Sequence, residues 1–291
     1  MSTLRVGQIG LGNLGFLMAR SIINKGFHFT VCDVRPEPVE EMKAMGAIAA
    51  NTPRDVAAAS DIIVSIVNDI EDTENIIFGK DGMLESIRKG SAIILASTIG
   101  PNYVKTVYDR TKERDIRIID AGMSKEGSGE EIGGLTIMVG GEKADVDYCR
   151  PVLDAMAKHV FHVGPIGTGQ AFKIVNNLLS LAQGTLTREA LNVGVKAGLD
   201  LQMMIDVMKV STGGNWNLNY MDFQRKSKSG VTGTPAPIRR LVPTKNIGLK
   251  DWTLARDYAE AVGAKIPITS LIHELDARLL YSALAEVERR G

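Results

Sequence analysis

The sequence predicts an α/β domain followed by an all-α domain, and three observations lead there. From residue 5 to residue 163, short runs rich in Ile and Val alternate with helical runs. Such alternation builds a parallel sheet covered by helices on both faces. From residue 168 onward the strand signal stops and only helix-period patterns remain. Between the two parts, Gly164-Pro165-Ile166-Gly167-Thr168-Gly169 concentrates glycines and a proline, which is the chemistry of a break. The predicted domains are therefore 1–163 and 164–291.

Composition bounds what each part can do. A chain of 291 residues exceeds one usual core, in keeping with two domains. Lys plus Arg balances Asp plus Glu at 34 each, so no net field draws nucleic acid or an anionic membrane, and a small molecule is the expected partner. Cys32 and Cys149 are too few for a disulfide framework and fit a reduced, cytoplasmic setting. His28, His159, His162 and His273 form no metal-ligand spacing. His159 and His162 read as flanks of a short strand, and no metal is expected. No apolar run approaches the roughly 18 to 20 residues that span a bilayer, so neither a membrane helix nor a signal peptide is expected.

In the first part, residues 5–10 read as a strand that runs straight into Gly10-Leu11-Gly12-Asn13-Leu14-Gly15 and a helix over 16–25. This is GxGxxG in its strand-turn-helix setting. The first glycine permits a tight turn, the second lets backbone approach a pyrophosphate, and the third lets helix and strand pack closely. The next strand, 27–32, ends at Asp33, near the spacing expected for a carboxylate that binds the adenosine ribose. Together these predict a dinucleotide-binding Rossmann domain. Asp33 favours NAD, because a carboxylate accepts from a free 2′-hydroxyl and repels a 2′-phosphate. Arg35 keeps NADP open, since a guanidinium can turn toward that phosphate.

Further strands are expected at 47–49, 61–67, 91–95, 116–120, 135–140 and 159–163, with helices at 36–45, 53–59, 72–78, 101–114 and 142–157. Ligands of such sheets lie beyond the carboxyl ends of the strands. The cofactor candidates are accordingly Gly10, Leu11, Gly12, Asn13, Leu14 and Gly15, then Asp33, Val34 and Arg35, then Val67 and Asn68, and finally Thr98 beside Ser97. The stretch 120–127 is expected to be a loop after its strand. Asn, Ser, Thr and Gly are also ordinary turn residues, so position alone does not decide their role.

In the second part, helices are expected at 168–198, 200–212 behind an Asp200 cap, 216–226, 246–262 and 267–289. The first is long enough to be a spine between domains or a subunit contact. On it Ala171, Ile174, Val175, Leu178 and Ala182 form one apolar stripe, with Lys173, Asn177 and Ser180 opposite. Spacing alone allows that polar face to meet solvent or a cleft.

The motifs in order resemble the β-hydroxyacid dehydrogenases related to 3-hydroxyisobutyrate dehydrogenase. The resemblance covers essentially the whole chain. It rests on the Gly10–Gly15 loop, on residues 120–141 ending in Leu135-Thr136-Ile137-Met138-Val139-Gly140-Gly141, on Lys173-Ile174-Val175-Asn176-Asn177, and on Lys250-Asp251. It implies an NAD(P)-dependent oxidoreductase that interconverts a short β-hydroxy acid and its semialdehyde or keto form, and a homodimer or homotetramer. It also implies Lys173 as catalytic acid and base, Asn177 at the reacting oxygen, Ser124 as donor to the substrate carboxylate, and Lys250 closing over cofactor and substrate. Hydride transfer from an alcohol needs a group that takes the hydroxyl proton, which Lys173 can do where a dry cleft or a neighbouring charge lowers its pKa.

Departures from the family pattern bear on substrate. Ser124 is followed by Lys125 and Glu126 where two glycines are common, and Gly122-Met123 stands where Pro-Val is usual. Lys125 resembles the basic residue of relatives that reduce sulfonate- or other anion-bearing semialdehydes; alternatively Lys125 and Glu126 pair with each other. Val67 replaces a usual proline and Leu241 a usual aromatic, changes of pocket shape. Imine reductases share this architecture but usually lack the lysine, and 6-phosphogluconate dehydrogenases usually have a larger helical domain. A binding protein that has lost catalysis, acting as a sensor or scaffold, is the rival from another class. Residues 221–241 are basic, but with scarce aromatics and no net charge they read as a solvated loop or an anion-attracting lid rather than a nucleic-acid patch.

Overall fold

The computed structural model describes residues 4–125, 134–228 and 247–274. Glu126, Leu241, most of the basic 221–241 stretch and the predicted helix beyond Glu274 lie outside the described residues. The described residues form two compact units that divide between Lys173 and Ile174.

The first unit is one sheet of eight strands: β1 (Arg5–Ile9), β2 (His28–Cys32), β3 (Ile48–Ala49), β4 (Ile62–Ser65), β5 (Ala92–Leu95), β6 (Arg117–Lys125), β7 (Leu135–Gly140) and β8 (His159–Gly164). Their order is β3-β2-β1-β4-β5-β6-β7-β8. The helices between them are α1 (Asn13–Asn24), α2 (Pro36–Ala44), α3 (Pro53–Ala59), α4 (Ile70–Phe78), α5 (Pro101–Thr111) and α6 (Lys143–Met156). Side chains alternate across the sheet, so each central strand feeds two cores. Val64 and Ile94 join the core that includes Met18 and Ile22 of α1; Ile63 and Ile93 join the one that includes Val104 and Val107 of α5. The chain order reverses between β1 and β4, which opens a crevice at their carboxyl ends.

The predicted all-parallel sheet holds except at one pair. β6 and β7 run antiparallel, in register from Asp120 opposite Gly140 to Lys125 opposite Leu135. Only residues 126–134 separate the two strands, fewer than the dozen or so a parallel crossover needs. The expected loop at 120–127 is corrected with it: the strand continues through Ser124 to Lys125. Ala121 and Met123 alternate into the core and keep the backbone extended. Gly122, read as a turn residue, instead makes room for a helix.

That helix is α7 (Thr168–Lys196), followed by α8 (Leu201–Lys209), α9 (Trp216–Lys228), α10 (Ile247–Ala261) and α11 (Pro267–Glu274). Asp200 caps α8, its side chain accepting from the N–H of Met203 at 2.7 Å. In the second unit Leu191, Ile205 and Leu218 form a small buried cluster. Asp222, buried on α9, accepts from Gln202 and Lys209 of α8 and ties those two helices together. No helix among the described residues is long and apolar enough to cross a membrane.

Candidate functional site

The glycine loop joins β1 to α1, and its three glycines are required for different reasons. A Cβ on Gly10 would lie 1.9 Å from the Ile66 carbonyl oxygen, at φ +97°, and one on Gly15 would lie 2.5 Å from the Gly10 oxygen. Protein packing therefore demands both. Gly12 is different: a Cβ there meets no protein atom within 4 Å, and its φ of −65° suits any residue. Its bareness leaves the backbone open to approach from outside the chain, as a pyrophosphate would require. Gly12 provides no side-chain cap for α1, and the first turn carries no acid, which suits an anion at this helix N-terminus.

At the end of β2, Asp33 is nearly buried and fully engaged. It accepts from Leu11 N–H at 2.6 Å, from Arg35 N–H at 2.9 Å, and from the Arg35 guanidinium at 3.0 and 3.2 Å. Burial pushes its carboxyl up, but the Arg35 guanidinium and these N–H groups outweigh that and hold it below the usual carboxylate range. Arg35 also donates to the Leu11 carbonyl at 3.1 Å. The two residues that separately pointed to NAD and NADP are thus one ion pair folded over the loop. Val34 between them is fully exposed. Burial and then Asp33 push the Cys32 thiol beneath up to about 11, which disfavours its thiolate.

The other strand ends converge on the same edge of the sheet. After β4, Val67 N–H donates to Ser97 Oγ at 2.7 Å, and the exposed Asn68 amide donates to Asp72 at 2.8 Å. Thr98, beyond β5, is half-buried. Ser124 and Lys125, half-buried, end β6 opposite Thr136 and Leu135.

Lys173 lies on α7, half-buried rather than on an open face. Its stem is held against β6: a Cβ on Gly122 would fall 2.7 Å from Lys173 Cβ and 2.5 Å from the Gly169 carbonyl oxygen. Asn177, one turn on, is also half-buried and donates from Nδ2 to Asp251 of α10 at 2.9 Å. Lys250, half-buried, precedes Asp251 on that helix. Val175, by contrast, stands exposed, although the helical stripe placed it with the buried Ile174.

Two buried neighbours of the site, Gln8 and Gln170, were not singled out by the sequence reading, and Asp120 was read only as the start of a loop. Gln8, buried in β1, donates to the Gly10 and Gly15 carbonyls at 2.9 and 2.7 Å and ties the two ends of the loop. Asp120, buried in β6, accepts from Gly167 and Gln170 N–H, each at 2.6 Å. Burial pushes its carboxyl up, against the pull of these N–H groups. Gln170 is itself fully buried. For Gln8 and Asp120 the available signal was a polar side chain within an otherwise apolar run, whereas Gln170, between Gly169 and Ala171, carried no such signal. Among the described residues no group of three or more His, Cys, Asp or Glu is placed to hold a metal ion.

Comparison with known proteins bears directly on this arrangement. Residues 5–164 match the family described as the NAD binding domain of 6-phosphogluconate dehydrogenase. Residues 167–288 match the family described as NAD-binding of NADP-dependent 3-hydroxyisobutyrate dehydrogenase. An NAD-dependent L-serine dehydrogenase of Pseudomonas aeruginosa is 31% identical over 97% of this chain and 94% of its own length. The chain belongs to the 3-hydroxyisobutyrate dehydrogenase-like β-hydroxyacid dehydrogenases. Another relative in this family, a 3-hydroxyisobutyrate dehydrogenase of the same bacterium, is 32% identical over 98% of this chain and 94% of its own. The crystal structure of a 3-hydroxyisobutyrate dehydrogenase from Salmonella typhimurium superposes with a TM-score of 0.80 at 27% identity, covering 97% of this chain and 95% of that one. As a member of this family the chain is an NAD(P)-dependent oxidoreductase, with a Rossmann domain and a helical C-terminal part.

Two outcomes test the cofactor geometry. Gly12→Ala should fold with an unchanged Tm yet bind NADH about tenfold or more weakly, whereas Gly10→Ala should lower the Tm; titration by nicotinamide fluorescence and thermal melts separate the two. Arg35→Ala removes the guanidinium that would meet a 2′-phosphate and frees Asp33 to accept from a ribose. The ratio of kcat/KM for NADPH to that for NADH should fall about tenfold or more, the size of a lost charged hydrogen bond.

Proposed function

We propose that this chain oxidises short β-hydroxy acids, of the form 2-substituted 3-hydroxypropanoate, to the matching semialdehydes, and reduces them in reverse. L-Serine and 3-hydroxyisobutyrate, the compounds in the names of the two Pseudomonas relatives, share that skeleton: a primary alcohol two carbons from a carboxylate. The observation that carries the reading is Lys173. It sits in the first turns of α7, half-buried, with its stem against β6, the strand whose far end bears Ser124.

A dinucleotide held at the Gly10–Gly15 loop would supply the hydride acceptor. Lys173 Nζ, as the neutral amine, takes the proton of the substrate hydroxyl as its carbon gives up hydride, and returns it in the reverse direction. The Asn177 amide donates to the same oxygen; its bond to Asp251 uses one N–H and leaves the other for substrate. Ser124 donates to the substrate carboxylate, and Lys250 closes over cofactor and substrate. Lys125, next to Ser124, pairs with an anionic substituent and tilts selectivity toward substrates that carry one. Glu126, its neighbour in sequence, belongs to the same substrate segment. Division of labour at about residue 164 follows: residues 1–163 hold the dinucleotide, and 164–291 bring the acid-base helix and the subunit contact.

We read the protein as a homodimer or homotetramer. Val175, Leu179, Leu186 and Val193 are each more than half exposed. Three of them recur every seven residues along α7, a seam that suits another apolar helix surface. A cytoplasmic setting belongs to the same reading and is supported by Cys32 and Cys149, both free and buried.

The test is a panel of 3-hydroxypropanoates and of semialdehydes bearing carboxylate or sulfonate, followed by nicotinamide absorbance. Lys173→Ala should lower kcat about 10²- to 10⁴-fold on the best substrate while NADH binding stays intact. Wild-type turnover in that variant sinks the mechanism, and bound dinucleotide without turnover of any panel member by the wild type points to the binding-only alternative. Lys125→Ala should flatten the preference between carboxylate and sulfonate substrates; an unchanged ranking makes Lys125 a bystander.

A further inference from the structure

We infer that Asp120 and Gln170 are positioning residues that set the place of Lys173 against the cofactor loops. The inference rests on the reading of Lys173 as acid and base. It starts from a problem of local structure. The first turn of an α-helix leaves N–H groups without partners, and here the residue before Thr168 is Gly167, which has no side chain to cap them. The cap comes from the sheet instead. Asp120 Oδ1 accepts from Gly167 N–H and Oδ2 from Gln170 N–H, both at 2.6 Å.

The seat of this helix is built from glycine. A Cβ on Gly169 would lie 2.4 Å from the Met138 carbonyl oxygen and 2.7 Å from Asp120 Oδ2. A Cβ on Gly140 would lie 2.4 Å from Asp120 Oδ1, and Gly122 is closed off by Gly169 and Lys173 as described above. The start of α7 thus lies in a notch of β6 and β7 that admits one depth and one rotation.

Gln170 then ties the same turn sideways. Its Oε1 accepts from Ile99 and Gly100 N–H at 3.0 and 3.2 Å, and its Nε2 donates to the Ser97 carbonyl at 2.9 Å. Ser97 in turn accepts Val67 N–H on Oγ. One chain of hydrogen bonds therefore runs from the end of β4, through the end of β5, to the start of α7, and is anchored there to β6. It passes through Val67 and brackets Thr98, both expected at the dinucleotide, and it ends three residues before Lys173. Neither Asp120 nor Gln170 is exposed, so neither reaches the substrate. Their effect is transmitted through the helix. Satisfied buried networks of this kind hold one geometry, and proton transfer depends steeply on it.

The experiment uses the full-length enzyme, with Gln170→Met and Asp120→Asn. Methionine keeps the volume of Gln170 and removes all three side-chain bonds. Asparagine keeps the shape of Asp120 but turns an amide donor toward N–H groups. Three quantities are measured: kcat per dinucleotide site, with sites counted by NADH titration; the Kd for NADH; and KM for the hydroxy acid. The expected result is a kcat about 10- to 100-fold lower per titrated site, with the Kd for NADH changed less than about threefold, because a shift of about one ångström at an acid-base group costs this much. Unchanged kcat in both variants overturns the inference. So does a kcat loss matched by an equal loss of dinucleotide sites or affinity, which marks a plain structural role, and so does failure of both variants to bind NADH. A wild type inactive on every hydroxy acid overturns the functional reading and this inference together, whereas an active wild type with unaffected variants overturns this inference alone.

Discussion

The carboxylate of Asp120 meeting the N–H groups of Gly167 and Gln170 is the interaction on which the geometry at this end of the sheet depends. A buried carboxylate is costly unless hydrogen-bonded, and a helix start without a cap is costly too. Each cost is offset by the other. The contact also explains why Gly140 and Gly169 have no side chains: the carboxylate and the helix occupy that space. Gln170, buried one step further, carries the same constraint to the end of β5.

The dinucleotide loop shows a complementary arrangement. Gly10 and Gly15 are bare because the protein fills their space, while Gly12 is bare with no protein atom near it. Gln8 fixes both ends of the loop from below, and Asp33 and Arg35 close it from the side. The loop is therefore held in shape by the protein's own hydrogen bonds. Because Asp33 and Arg35 form one ion pair, the proposed discrimination between NAD and NADP treats them as a unit.

Much of this was legible in the residues. Alternation of Ile- and Val-rich runs with helical runs is enforced by period-two burial on two faces, and it located every strand except the end of β6 to within two residues. The glycine loop and Asp33 are local patterns whose spacing carries their meaning. The extension of β6 was not legible, because Gly122, Ser124 and Lys125 have turn chemistry, and only their pairing with β7 keeps the chain extended. Val175 was misplaced for a related reason: a helical stripe wide enough for one core does not say which part of it a neighbour covers.

Sequence by itself determined the domain order, the two-layered covering of the sheet, the phosphate loop and the pairing of Lys173 with Asn177 on one helical face, because each depends on residues a few positions apart. Tertiary structure alone decided that Arg35 reaches back to the Leu11 carbonyl, that Asp251 holds Asn177, and that Asp120 and Gln170 reach across about fifty and seventy residues to seat α7. Those contacts join residues distant in the chain, and a hydrogen bond a few tenths of an ångström from its optimum leaves no periodic trace in the sequence that makes it.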